Sequence, residues 1–347
     1  MAARSRCGSG SRCRGKGVSD VGVIGAGAWG TALAQMLASD GREVLLWARE
    51  AALVDELNAT RSNSAYLPGV TLHDSVRATN DLADMARLAA VLVVTPAQHM
   101  GSVLGAMPAF PRDLVLCSKG IEAGTGRLMN HVARDISPDS MIAVLSGPTF
   151  AHEVAAGLPT AVTLACSGGA AQWERLSPVI ARQSFRPYYT DDVVGAEIGG
   201  AIKNVLAIAC GVVDGLGLGQ NARAALIARG YAEMLRFGEA LGAQAETLSG
   251  LCGLGDLVLT CSSTSSRNFS LGKALGKGKT AQELMSDRRT VAEGAHTAPV
   301  LVELAARHGV AMPIVTAVYG LLKGDTPAMV VRDLLSRPLK AEQEPAG

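Results

Sequence analysis

Residues 21–41 read VGVIGAGAWGTALAQMLASDG, an apolar run, a glycine-rich hexapeptide and an amphipathic stretch that stops at Gly41. A run of aliphatic residues without alternation suits a strand covered on both faces. Leu33, Met36 and Leu37 follow at helical spacing, and a glycine is a good helix terminus. Gly25, Gly27 and Gly30 thus form G-x-G-x-x-G between a strand and a helix, the setting that the dinucleotide-binding fingerprint requires. In that fingerprint the first glycine makes the turn, the second admits a pyrophosphate, and the third lets helix and strand pack. A tight strand-to-helix turn without a ligand is the plain alternative.

Working outward, the runs EVLLWA, AAVLVVTP, DLVLCSKG, MIAVLSGP and TAVTLAC alternate with helix-length segments. Such text predicts a doubly wound α/β domain with a mainly parallel sheet over residues 21–191. From about residue 192 strand-like runs nearly vanish, and VGAEIGGAIKNVLAIACGVV, NARAALIARGYAEMLRFGEALG, TAPVLVELAARHG and PIVTAVYGLLKG read as helices. The expectation is an all-helical second domain over 192–337 and a tail over 338–347. Residues 1–20, rich in Gly, Ser and Arg, read as a disordered extension; a transit peptide or an over-long reading frame would look similar.

The chain has 347 residues, 48% of them hydrophobic, and a formal net charge of +1. That size suits two cores, and that charge gives no broad attraction to nucleic acid or a membrane surface. Charges interrupt each apolar run short of the ~20 residues that span a bilayer, so the expectation is a soluble, cytoplasmic protein with a small-molecule partner. Seven cysteines show no metal-ligand spacing, and free buried thiols are expected. No metal site is expected. Cys252 or Cys261 as a nucleophile is a minor alternative, since neither has a local histidine partner.

Polar residues just beyond the carboxyl ends of strands are candidates in a doubly wound sheet. They are Thr95, Pro96 and His99, then Ser118 and Lys119, then Ser146, Gly147, Thr149 and Glu153. Arg49, at the end of the second strand, can hold a 2′-phosphate and favours NADP(H), while Glu50 beside it leaves NAD(H) open. Lys203 and Asn204 stand inside an otherwise apolar helix. A lysine so placed is depressed by burial toward the range of a neutral-pH acid or base, or else it snorkels from a helix edge. Asp256 precedes a hydroxyl-rich loop ending in Arg267 and Asn268 at a helix start, which suits either a phosphate cradle or a simple N-cap.

GAGAWGTALA, SKGIE, SGPTFAHEVAAGLPTA, GGAIKNVLAIACGVVDGLGLGQNARAALIARGYAEM, GLGDLVLTCSSTSSRN and VAEG, taken together over residues 21–330, resemble the NAD(P)-dependent glycerol-3-phosphate dehydrogenases. The resemblance implies a 6-phosphogluconate-dehydrogenase-like helical domain. It also implies reduction of dihydroxyacetone phosphate to sn-glycerol 3-phosphate by NAD(P)H, feeding phospholipid synthesis, in a homodimer. Carried over by motif, Lys203 is the proton-transferring group. Lys119, Gly147, Thr149, Lys203, Asn204, Asp256, Ser266, Arg267 and Asn268 are implied to bind substrate. Gly25, Gly27, Ala28, Trp29, Gly30, Arg49, Lys119, Ala151, Arg267, Val291 and Glu293 are implied to line the cofactor site. Ala28 stands where relatives often have serine. A related β-hydroxyacid dehydrogenase and a catalytically silent nucleotide sensor are the competing readings.

Overall fold

The computed structural model describes residues 21–109, 111–285 and 292–338. Eight strands form one sheet: β1 (Val21–Ile24), β2 (Val44–Trp47), β3 (Val76–Thr79), β4 (Ala90–Val93), β5 (Asp113–Leu116), β6 (Met141–Ser146), β7 (Thr160–Cys166) and β8 (Phe185–Thr190). Their order is β3-β2-β1-β4-β5-β6-β7-β8, and every pairing is parallel except β6 with β7. Around it run α1 (Ala28–Leu37), α2 (Ala51–Thr60), α3 (Ala97–Ala106), α4 (Met129–Ile136), α5 (Ala151–Ala155) and α6 (Gly169–Ile180). Separate apolar clusters cover the two faces of the sheet. That double cover is why β1 and β4 are buried along their whole length and read as unbroken apolar runs.

Two strands escape that pattern. β3 (VRAT) and β8 (FRPYYT) are the sheet edges, half-exposed and carrying Arg77, Arg186 and Pro187. An edge tolerates charge and proline because one side needs no ladder partner.

Past Thr190 every described element is helical: α7 (Val193–Gly215), α8 (Gly219–Ala240), α9 (Ala245–Ser249), α10 (Asp256–Ser262), α11 (Arg267–Gly276), α12 (Ala281–Met285), α13 (Glu293–Arg307), α14 (Pro313–Lys323) and α15 (Pro327–Leu335). A π-helical turn, Leu251–Gly255, leads into α10. The hydroxyl-rich stretch after Asp256 therefore begins as a helix, and only Ser263–Ser266 form the connection to α11.

α7 is the axis of this half. It is long and apolar enough to cross a bilayer, but almost all of it is enclosed by its neighbours. Glycines let α11 lie backbone-to-backbone against it: a Cβ on Gly211 would sit 2.0 Å from the Phe269 carbonyl oxygen, and one on Gly272 would sit 2.0 Å from that of Ile208. α7 also packs on β6 and β7, which carries its middle to the carboxyl end of the sheet.

Candidate active site

The sheet order reverses between β1 and β4, and it is beyond the carboxyl ends of the strands at such a reversal that doubly wound sheets bind ligands. The glycine loop fills the turn from β1 to α1. Gly25 has φ +113°, and a Cβ there would press on the Val94 carbonyl at 3.0 Å. Gly30 lies so close to the Gly25 carbonyl that a Cβ would come within 1.7 Å of its oxygen. Gly27, the N-cap of α1, differs: a Cβ on it would meet nothing within 4 Å. The first and third glycines answer to the protein's own packing, whereas the second borders open space at a helix N-terminus with no side-chain cap. Trp29 Nε1 is buried without a hydrogen-bond partner in the same turn. An anionic dinucleotide fits this cradle, which offers uncapped helix amides and room for a pyrophosphate.

Arg49, beyond β2, is 79% exposed along its side chain and donates to Glu50 Oε1 at 2.7 and 3.0 Å. Ala151 opens α5, and α5 packs on α1. Glu293 opens α13. Val291 lies outside the described residues.

Lys119 follows β5, Lys203 comes from the middle of α7 and Asp256 from the first turn of α10. The three meet. Asp256 Oδ2 accepts from Lys119 Nζ at 2.8 Å, and Oδ1 accepts from Lys203 Nζ at 2.5 Å. Thr260, one turn on in α10, donates its hydroxyl to the same Oδ1 at 3.2 Å. The Asp256 side chain is fully buried, and those of Lys203 and Lys119 are 6% and 14% exposed.

The electrostatics follow from one carboxylate serving two ammoniums. Burial pushes Lys203 down to about 7; the charge of Lys119 adds to the depression and Asp256 opposes it. Lys119 is also buried, but attraction to Asp256, with Glu293 behind it, holds its ammonium above the usual range. Burial alone would raise Asp256, yet the two ammoniums hold its carboxyl low. Glu293 is raised by burial against the pull of Arg267, Lys119 and Lys203. The cluster therefore contains an acid whose proton is transferable near neutrality beside a cation that stays charged.

Several of the remaining sequence candidates lie on the elements that carry this centre. Asn204 adjoins Lys203; its Oδ1 accepts from Asn268 Nδ2 at 2.9 Å, and Asn268 Oδ1 accepts from the Gly294 N–H at 2.9 Å. This chain ties α7, α11 and α13 together behind the lysines. Ser266 is the N-cap of α11, its Oγ accepting from the Phe269 N–H at 3.2 Å, so the capping alternative holds for its oxygen, while its O–H remains to donate to a ligand. Arg267 is exposed at the first position of α11. Gly147 has φ +155° and lies tight against Val162; Thr149 Oγ1 donates to the Gly147 carbonyl at 3.2 Å.

Ser146 Oγ is buried without a partner, and a Cβ on Gly200 would lie 3.2 Å from it and 3.5 Å from Lys119 Cγ. Ser118 Oγ donates to the Thr95 carbonyl at 2.5 Å, which makes it part of the frame. Cys252 and Cys261 are buried, and burial pushes both thiols up, the former to about 11, which is the wrong direction for a nucleophile. Thr260 and Asn63, whose side chain grips the glycine loop, escaped the sequence reading. Thr260 becomes visible once Asp256 is placed on a helix, because positions i and i+4 share a face.

Two family models match the chain: the NAD-dependent glycerol-3-phosphate dehydrogenase N-terminus over residues 20–171 and its C-terminus over residues 192–332. The chain is 72% identical over 326 residues to a glycerol-3-phosphate dehydrogenase, NAD(P)+, of Erythrobacter litoralis, covering 94% of this chain and 98% of that protein. A protein of the same name from Novosphingobium aromaticivorans is 71% identical over 324 residues, covering 93% and 98%. The solved glycerol-3-phosphate dehydrogenase of Coxiella burnetii superposes with a TM-score of 0.86 at 40% identity, over 91% of this chain and 98% of that one. With both domain models matched in order and two curated relatives above 70% identity along nearly their whole length, this chain belongs to the NAD-dependent glycerol-3-phosphate dehydrogenase family.

Proposed function

We propose that the protein reduces dihydroxyacetone phosphate to sn-glycerol 3-phosphate with NAD(P)H, reversibly, and so supplies glycerophospholipid synthesis. The observation that carries this reading is the buried Lys119–Asp256–Lys203 array at the carboxyl end of a sheet whose β1–α1 turn is an anion-receptive glycine loop. A bound reduced nicotinamide supplies hydride to a carbonyl carbon. The residues of the chain must then manage the charge that develops on the carbonyl oxygen. Lys203, depressed to about 7 by burial, donates a proton there, and Lys119, held charged, stabilises the oxyanion without surrendering its own. Asp256 fixes the spacing of the two ammoniums, and Thr260 fixes the carboxylate.

In this reading Gly25, Gly27, Ala28, Trp29, Gly30, Arg49, Ala151 and Glu293 hold the dinucleotide. Gly147, Thr149, Asn204, Ser266, Arg267 and Asn268 hold the substrate, with exposed Arg267 at its phosphate. Residues 21–191 act as the cofactor domain and 192–337 as the substrate domain. NADPH is the preferred cofactor to the extent that Arg49 exchanges Glu50 for a 2′-phosphate. The protein is a cytoplasmic homodimer on the same reading, and a monomer mass in light scattering would remove that element alone.

The deciding experiment follows reduced-nicotinamide absorbance: its loss with NADPH or NADH and dihydroxyacetone phosphate, and its gain with NADP+ or NAD+ and 6-phosphogluconate or 3-hydroxyisobutyrate. Turnover of dihydroxyacetone phosphate supports the reading. Turnover of another substrate, or of none, refutes it.

A further inference from the structure

The segment after α2 makes a tight turn in which the Asn63 carbonyl accepts from the Leu67 N–H at 2.9 Å and Asn63 Oδ1 accepts from the Tyr66 N–H at 3.1 Å. The Asn63 side chain, on a residue only 1% exposed, then reaches into the glycine loop. Its Nδ2 donates to the Ala26 carbonyl at 2.9 Å and to Thr31 Oγ1 at 2.8 Å, and that hydroxyl in turn donates to the same Ala26 carbonyl at 3.2 Å. Ala26 O thus receives two donors. Both amide hydrogens of Asn63 and its carbonyl oxygen have partners, in the glycine loop, the first turn of α1 and its own turn.

The peptide joining Ala26 to Gly27 is planar and trans, so its N–H points opposite to its C=O. With the Ala26 carbonyl pinned inward by Asn63 and Thr31, the Gly27 N–H is turned away from the clamp, beside the open space at the Gly27 Cβ position. An unclamped Gly27 could rotate this peptide freely, because glycine tolerates most φ values. We infer that Asn63, with Thr31, is a positioning residue that presets the Gly27 amide to receive the pyrophosphate of the dinucleotide. Neither side chain touches the ligand in this arrangement. Asn63 acts by holding the loop in its binding conformation, so the ordering entropy is met in folding and not on binding. The inference rests on the proposed dinucleotide reading of the loop.

Fluorescence titration of the full chain with NADPH and NADH tests it. Asn63→Ala should weaken both cofactors about tenfold, the scale of one lost preorganising hydrogen bond. The KM for cofactor should rise in step, while the KM for dihydroxyacetone phosphate at saturating cofactor holds. Thr31→Val, which removes one of the two donors to Ala26 O, should weaken both about threefold and decides the matter if Asn63→Ala does not fold. A merely structural role lowers the melting temperature and leaves the affinity of the folded protein alone. Affinities within twofold of the native chain in the folded variants overturn the clamp. A native chain that binds neither cofactor overturns the dinucleotide reading itself, so the two failures are distinguishable.

Discussion

Replacing Asp256 with asparagine tests the central claim that one buried carboxylate balances two ammoniums. The side chain keeps its volume and its acceptor toward Lys203 and Thr260 but loses its charge. At an effective dielectric of about 20, each ion pair near 3 Å represents roughly 5 kcal/mol of attraction, most of it offset by the desolvation that burial has already imposed. Removing the shared partner strands that desolvation, and breaking a buried pair typically costs about 3–5 kcal/mol. We expect about 3 kcal/mol near neutral pH, with relief coming from deprotonation of the lysines.

The sign follows from linkage. In the native chain Lys119 lies above its ordinary range and Asp256 below its own. In Asp256→Asn, burial acts on Lys119 unopposed by Asp256 and its folded-state pKa falls below the unfolded value of about 10.4. The unfolded chain then binds more protons than the folded one between those values, and stability of the variant rises with pH there. The native protein lacks that Lys119 contribution. The deficit should therefore shrink between about pH 7 and about pH 9.5 in denaturant unfolding. Turnover should fall by roughly 10²–10⁴-fold, the scale of a lost general acid, because Lys203 becomes neutral near pH 7. A variant as stable as the native chain, or a deficit equal at both pH values, refutes the reasoning.

Lys203→Ala removes the proposed proton donor and should lower kcat by roughly 10²–10⁴-fold, with NADPH binding retained in fluorescence titration; an unchanged kcat excludes the assignment. Gly272→Ala should destabilise by about 3 kcal/mol despite the better helix propensity of alanine, because its Cβ meets the Ile208 backbone and no flexible side chain can yield. Gly105→Ala, at an exposed position of α3 with nothing within 4 Å, should gain up to about 1 kcal/mol, and equal shifts in the two melting curves would contradict the backbone-contact argument. Burial raises Glu233 to about 7, while its Oε1 accepts from the Ile314 N–H at 2.7 Å. A raised carboxyl binds its proton in the folded state first, so its contribution is present below pH 4.5 and lost as pH rises toward 7. Glu233→Gln keeps an acceptor and should lose that slope, so its melting temperature relative to the native chain should rise between pH 5 and 8; a constant offset would count against it.

The six apolar runs read as strands are strands because helices cover both faces of the sheet at those positions. β3 and β8 escaped because an edge strand needs no such cover, and VRAT and FRPYYT carry no run to recognise. Lys203 was legible as a charge in an apolar helix, and Asp256 as an acid near a phosphate-like loop. Their pairing was not legible. Lys119 and Asp256 stand 137 positions apart, and no local pattern relates a residue after β5 to the first turn of α10. The same holds for Asn63, whose turn looks like surface punctuation until its amide is seen on Ala26, 37 positions away. Ser266 shows the converse: the helix start was legible, and capping was the role its oxygen takes.

The proposed catalysis by two cations requires that their separation be fixed before the substrate arrives, since repulsion would otherwise drive them apart. Asp256 meets this requirement by direct bonds, but Lys203 belongs to the helical half and Lys119 to the sheet half, so the halves themselves must also be registered. Glu197, on α7 with Lys203, supplies such a register: its Oε1 accepts from the Asn130 N–H at 2.8 Å, in the first turn of α4. Burial raises Glu197 to about 8, which keeps it largely protonated at neutral pH and spares the interior another bare charge. α7 is thus attached to the sheet half at a neutral clamp near its start and a charged one at its centre. Two attachments on one rigid helix fix its rotation as well as its distance, and Lys203 faces the sheet's carboxyl end for that reason.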